Sequence, residues 1–453
     1  MTDTSPVVPI QSAAPAEDAF AGPPAVEMMG EQPGAPRPDA ARIARDILCL
    51  GAIGADPTGG VTRLAFTEQE RAAHKVLAEW LSAAGLSVRV DAIGNTIGER
   101  RGSAGDLPHI TIGSHLDTVA HGGAFDGAAG VVAAVEVARM LDQAGMLTRH
   151  PLRVVAFAGQ EGARFGAGSL GSAAVVGALD AGDVEALVDR SGVTLAQAAR
   201  SLGFDPARFS DARWSRDQVA AYLELQAEQG PVLERADTQI GIVDATAGHT
   251  RLRISVVGQA NHAGAATMVE RRDALAAAAE ITLAVERFAL EHQSAAAAAT
   301  VGQLEVSPNT AATVPGRVDF TVDVRDVDAD RQRDTARSII GACREICARR
   351  QVALDVAVVA DAPPAVLPLW LRRVAREVCG DLALTHRMMA GGSGHDVQML
   401  SRLAPAALLL VPSRDGRGHS PAEWTSATQI ARGTSALYAM LMRIDELLEA
   451  LRV

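Results

Sequence analysis

Several things are scarce in this 453-residue chain, and each scarcity excludes a class of function. No apolar run approaches the roughly 18 residues that a membrane span requires, so no membrane partner is expected. Positive charge is in deficit: 42 Lys and Arg stand against 54 Asp and Glu, a formal net charge of −12, which argues against nucleic acid as a partner. Only four cysteines occur, Cys49, Cys343, Cys347 and Cys379, and they follow neither a disulfide nor a CxxC scheme. Cys343 and Cys347 share a helix face and read as structural thiols, and a reducing cytoplasmic setting is expected. Residues Met1 to about Pro38 are rich in Ala, Pro, Glu and Asp. They lack a basic start followed by an apolar core, so 1–38 is predicted to be a disordered tail and not a signal peptide.

What remains is long enough for two domains. Ala40 to Leu50 is an amphipathic helix. Thr67-Glu68-Gln69-Glu70 is a capping-box pattern that opens a helix running through Leu81. Leu86 to Asp91 alternates like a strand, Gly94-Asn95 turns the chain, and Leu152 to Ala158 and Tyr222 to Ala227 are further strands. Between Asp180 and Asp217 the apolar periodicity is weak, and short helices and loops are expected. Near Ala247 the pattern changes. Strands Arg251–Val257, Ala299–Val306, Arg317–Arg325 and Val352–Val359 alternate with helices Asp273–Leu290 and Asp330–Arg349, in the order β-α-β-β-α-β. The Ala295–Ala299 run reads as a linker. Leu367–Val378, Ala406–Val411 and Ala427–Leu451 then resume the first style. The expectation is an α/β fold with helices on both faces of a mixed sheet. Its catalytic domain is discontinuous, residues 39–246 and 361–453, interrupted at 247–360 by an α+β, split βαβ (ferredoxin-like) unit.

The candidate chemistry lies at strand ends. Pro108 to Ile112 reads as a buried strand leading into Gly113-Ser114-His115-Leu116-Asp117-Thr118, and then into Gly122-Gly123-Ala124-Phe125-Asp126-Gly127 ahead of a helix from Val131 to Leu141. A His and an Asp eleven residues apart, with glycines between them, can reach one metal ion; taken alone, Asp126 reads equally as a helix cap. The strand ending at Ala158 runs into Gln160-Glu161-Gly162-Ala163-Arg164-Phe165. The strand Ala406–Val411 is followed by Gly418-His419-Ser420-Pro421-Ala422-Glu423-Trp424. Open α/β sheets gather ligands at the carboxyl ends of their strands. His115, Asp126, Glu161 and His419 together make a credible site for zinc, manganese or a similar divalent ion. Trp424 and Arg271-Arg272-Asp273 read as packing and as a solvated helix cap.

These stretches, with EQGPVLE, GQANHAG…RRDA, VPGRVDFTVDVRD and GGSGHD, resemble the M20 metallopeptidase-like amidases. The branch is that of N-carbamoyl-L-amino acid hydrolases, β-ureidopropionases and allantoate amidohydrolases. The resemblance runs from about Ala41 to the C-terminus. It implies two metal ions bridged by an aspartate, and an inserted domain that serves as lid and as homodimer contact. By position, Asp126 corresponds to the bridging ligand, Glu161 and His419 to the rest of one metal site, and His115 to the other. Asp117 corresponds to the carboxylate that orients His115. His262 matches a histidine that polarises the scissile carbonyl, from the same or the partner subunit. Arg325 matches the residue that pairs with a substrate carboxylate, and Gln229, His395 and Asp396 match pocket-lining positions.

Three positions depart from the pattern. The general-base glutamate is Gln160, an amide that cannot accept a proton from water, so a loss of about 10²–10⁴ in rate is expected. Another base would have to serve, Glu228 or the ion itself. A histidine ligand is replaced by Gln226, whose neutral amide is a poor exchange for imidazole, so the metal site at His115 is expected to be weak and one or two ions per subunit are possible. The asparagine that touches substrate, thirteen residues before Arg325, is Ala312, with Asn309 three residues earlier. Two functions follow as expectations. One is a metal-dependent amidohydrolase acting on an amide or ureido C–N bond of a small carboxylate-bearing substrate. The other is a diverged member that binds a carboxylated ligand or catalyses a condensation, cyclisation or isomerisation.

Overall fold

Four parallel strands hold the loops that matter, and each is buried on both faces. His109–His115, Leu152–Phe157, Val219–Ala227 and Ala406–Val411 are almost wholly buried, as strands covered by helices on both sides must be. The computed structural model describes residues 36–291 and 297–450; residues 1–35 of the expected tail, and Ala295 and Ala296 of the expected linker, lie outside them. Ala298 and Ala299 begin a strand, Ala298–Ser307. The strand expected to stop at Ile112 continues to His115, because Gly113, Ser114 and His115 keep their register with Val155, Ala156 and Phe157.

The large sheet has nine strands. Its order is Ser87–Val90, Thr96–Arg100, Leu152–Phe157, His109–His115, Val219–Ala227, Ala406–Val411, Ile240–Thr246, Ala365–Val366, with His386–Gly391 also paired to Ile240–Thr246. The flanking strands Thr96–Arg100 and Ile240–Thr246 run antiparallel to the central four, so the sheet is mixed. The helices Ala40–Ala52, Ala128–Gln143, Leu369–Asp381 and Ala427–Ala450 cover one face. Leu170–Val176 and Asp396–Leu400 lie on the other. The stretch 180–217 forms only short helices and 3₁₀ turns.

Gly248 to Ala362 builds a separate four-stranded antiparallel sheet in the order Ala353–Ala362, Gly248–Val257, Arg317–Asp326, Ala298–Ser307, with the helices Ala274–Glu291 and Ala329–Arg350 on one side. It has its own core around Leu252, Ile254, Phe320 and Ile339. Cys343 and Cys347 are buried there as free thiols.

The expected capping box forms only in half. Thr67 Oγ1 accepts from Glu70 N at 3.3 Å, but the Glu70 carboxylate turns inward, accepting from Phe66 N and, at 2.9 Å, from Gly159 N. Asp273 caps its helix by accepting from Leu275 N and Ala276 N, and Arg271 holds the carbonyls of Ala263 and Ala266. Arg414 lies over the Trp424 ring at 4.9 Å. Among the described residues no helix is long and apolar enough to cross a membrane.

Candidate metal centre

The carboxyl ends of the central strands bring His115, Asp126, Glu161 and His419 together. Asp126 is the hub. His419 Nε2 lies 3.3 Å from Asp126 Oδ2 and 3.2 Å from Glu161 Oε2, and His115 Nε2 lies 3.7 Å from Asp126 Oδ1. One donor atom each from His115, Asp126 and Glu161 falls within 4.8 Å of the others. Burial and the neighbouring Asp126 push Glu161 up to about 7. Burial would raise Asp126 too, but the His115 and His419 imidazoles hold it well below the usual carboxylate range. His419 is raised by its bonds to Asp126 and Glu161. Burial opposes a charge on His115, yet Asp117 and Asp126 raise it well above the usual histidine value.

Backbone and buried carboxylates fix these groups. Gly127, with φ +64°, lies against the His115 ring, where a Cβ would collide, so the turn before the helix Ala128–Gln143 requires glycine there. Asp117 lies 3.3 Å from His115 Nδ1 and accepts from Gln160 N at 2.8 Å and Glu161 N at 2.9 Å, tying three site residues to one carboxylate. His419 is held at φ +53°, a sparsely populated backbone conformation for a residue other than glycine. Glu423 was not singled out from sequence. It is 4% exposed, and its carboxylate accepts from Phe125 N, Asp126 N and His419 N, clamping both ligand loops. The signal that was available is a carboxylate four residues after the candidate ligand His419, in Ser420-Pro421-Ala422-Glu423.

A cavity of about 320 Å³ opens onto Asp126, Gln160, Glu161, His419, His395 and Arg325. Arg325 Nε donates to Asp323 at 2.8 Å, and Nη1 lies 3.5 Å from Ser393 Oγ. Burial pushes His395 down to about 4. Other expected site residues fall elsewhere. Asp396 is wholly buried under the cavity and not in its wall, because Oδ1 accepts from Ser172. Gln229 packs on Gly418 outside the cavity lining. His262, Asn309 and Ala312 lie on the smaller unit and do not line this cavity either. Glu228 also lies outside the cavity lining: it is half-buried, and its two oxygens accept the backbone N–H groups of Val232 and Leu233. Gln160 Nε2 donates to Gly394 O at 2.7 Å, a clasp that a glutamate would turn into acceptor against acceptor. Gln226 does not present its oxygen to the site: Oε1 accepts from Gly127 N, while Nε2 donates to Ser114 Oγ and Glu224 Oε1.

Comparison with known proteins agrees with this architecture. The family model of peptidase family M20/M25/M40 matches residues 111–443, and the chain belongs to that family. It is similar to the N-carbamoyl-L-amino-acid amidohydrolase of Paenarthrobacter aurescens, 39% identical over 90% of this chain and 98% of that one. It also resembles the ureidoglycolate hydrolase of Arabidopsis thaliana (32% identical; 90% and 87% covered) and the allantoate amidohydrolase of Escherichia coli (33%; 87% and 95%). The solved structure of AtUAH in complex with glyoxylate superposes with a TM-score of 0.87 at 32% identity, covering 91% of this chain and 99% of the other. Within the family the chain sits in the hydantoinase/carbamoylase branch of amidases, the C–N hydrolases.

Proposed function

We propose that the chain is a metal-dependent amidohydrolase that cleaves a linear amide or ureido C–N bond beside a carboxylate, on a substrate of the N-carbamoyl amino acid or allantoate type. The observation that carries this reading is the meeting of Asp126, Glu161 and His419 in a cavity that also contains Arg325. The donor set fits a divalent ion. Ligands at about 2.1 Å from a tetrahedral zinc stand about 3.4 Å apart, and the His419–Asp126 and His419–Glu161 separations are 3.3 and 3.2 Å. Zinc and manganese both suit one imidazole and two carboxylates. When bound, such an ion supplies Lewis-acid polarisation of a carbonyl.

The chain's own groups divide the remaining work. Arg325, with Asp323 steadying its Nε and Ser393 beside Nη1, anchors the substrate carboxylate through its guanidinium. His262 Nδ1 accepts from Gly264 N and Ala265 N, which leaves its proton on Nε2, the form that donates to a developing oxyanion. Because His262 does not line the cavity, this reading has two copies associating through the 247–360 unit, each offering His262 to the other. The relatives named above support the reaction class.

One observation favours a second reading. Gln160 stands where water activation requires a base, and its amide is committed to Gly394, which suits a protein that binds a carboxylated ligand or runs a reaction without water attack. The test is ammonia release from N-carbamoyl-L-amino acids and allantoate by purified protein with added zinc or manganese, beside a Gln160→Glu variant. The hydrolytic reading expects release by the native chain and a gain of about 10²–10⁴ in the variant. No release from either protein, together with saturable carboxylate binding, would transfer the argument to the second reading.

A further inference from the structure

Gln226 is wholly buried between the strand His109–His115, its own strand and the start of the helix Ala128–Gln143. Its amide has no choice of orientation. The Gly127 N–H, 3.1 Å away, can only donate, so it must face the amide oxygen. The NH₂ then donates to Ser114 Oγ at 2.8 Å and to Glu224 Oε1 at 3.1 Å. Glu224 is in turn fixed by Val397 N at 2.7 Å. Flipping the amide to offer oxygen elsewhere would set NH₂ against N–H at Gly127 and leave buried groups unpaired, at about 1–3 kcal/mol for each. On the His115 side of Asp126 an ion would therefore find His115 Nε2, which has no hydrogen-bond partner among the described residues, one Asp126 oxygen and only the Glu161 carboxylate that His419 already shares, with no ligand of its own from the strand Val219–Ala227.

We propose that the chain holds a single divalent ion, at Asp126, Glu161 and His419, and that Gln226 is a positioning residue whose hydrogen bonds brace Ser114, Glu224 and Gly127 where a second ion would otherwise be ligated. The proposal rests on the metal-dependent reading above. In a two-ion site the bridge across Asp126 is electrostatic and removable by a chelator. Here the brace between the His115 strand and the start of the Ala128–Gln143 helix is made of neutral hydrogen bonds, which a chelator cannot remove.

The experiment is a metal count on the full chain dialysed against excess zinc, with zinc affinity and thermal unfolding measured for the native protein, Gln226→Met and His419→Ala. The expected result is one zinc per native chain. Gln226→Met should keep that count and an affinity within about threefold of native while unfolding at a lower temperature. His419→Ala should weaken zinc by more than about tenfold. Two zinc ions per native chain, or a tenfold loss of affinity in Gln226→Met, would overturn the proposal; the native count decides the matter even if that variant fails to fold. Two ions with ammonia release would remove this inference and leave the hydrolase reading intact, whereas one ion without ammonia release would do the reverse.

Discussion

Replacing Glu423 by alanine should damage the centre more than any change of equal size outside it. The carboxylate accepts from three backbone N–H groups: Phe125 at 3.0 Å, Asp126 at 2.8 Å and His419 at 3.2 Å. Gly123 lies directly against it, so the loop is packed on this group and cannot simply close over the gap. A buried N–H left without its partner costs about 1–2 kcal/mol once partial hydration is allowed for, which sums to about 2–4 kcal/mol for the buried Phe125 and Asp126 N–H groups, with less from the exposed His419. That is a large fraction of the 5–15 kcal/mol typical of a folded protein. Glu423→Gln keeps one oxygen for the Phe125–Asp126 pair and turns an NH₂ towards His419 N, so about 1–3 kcal/mol is expected. The assay is denaturant unfolding with chelator present, so that ion binding does not enter the difference. Zinc affinity measured separately should fall about 10–100-fold in the alanine variant, since both ligand loops lose their clamp. A Glu423→Ala protein within about 1 kcal/mol of native would refute the reasoning.

Three further outcomes are expected. Asp117→Asn keeps only one accepting oxygen for the Gln160 and Glu161 N–H groups, so zinc affinity should drop about tenfold or more; titration calorimetry would show it, and unchanged affinity would count against Asp117 as the anchor of Glu161. Arg325→Lys loses the planar fork and should raise KM about tenfold or more with a smaller change in kcat, whereas a pure kcat loss would place Arg325 elsewhere in the reaction. Burial depresses His74 to about 4 in the folded chain, against about 6.5 when unfolded. The unfolded state therefore takes up the proton first, and up to about 3 kcal/mol of stability is lost as pH falls from about 6.5 to 4. Unfolding scans across that range should show a shallower slope in His74→Gln, and an identical slope would assign the acid sensitivity to other groups.

Much of the fold was legible because its signals are local. Four apolar runs ending in Gly or polar loops gave the central strands, and the alternation in Arg251–Val257 and Arg317–Arg325 gave the smaller sheet. The strands Thr96–Arg100, Ile240–Thr246 and His386–Gly391 were not read. Each is interrupted by Gly or a charged residue, and each is held in place by pairing with a distant strand. Asp126, Glu161 and His419 could be placed at one sheet edge from their positions after strands. What Gln226 does with its amide could not, because Ser114, Gly127 and Glu224 decide it together. Glu423 escaped notice for the same reason: its partners Phe125 and Asp126 lie almost 300 residues away. The inward turn of Glu70 to Gly159 likewise depends on a contact 89 residues distant.

The most direct measurement is ammonia release from an N-carbamoyl-L-amino acid by one preparation assayed as purified, after chelator stripping, and after zinc or manganese is returned. The account predicts activity that disappears on stripping and returns with the ion, and that His419→Ala never recovers. Activity that persists in fully stripped protein would contradict it.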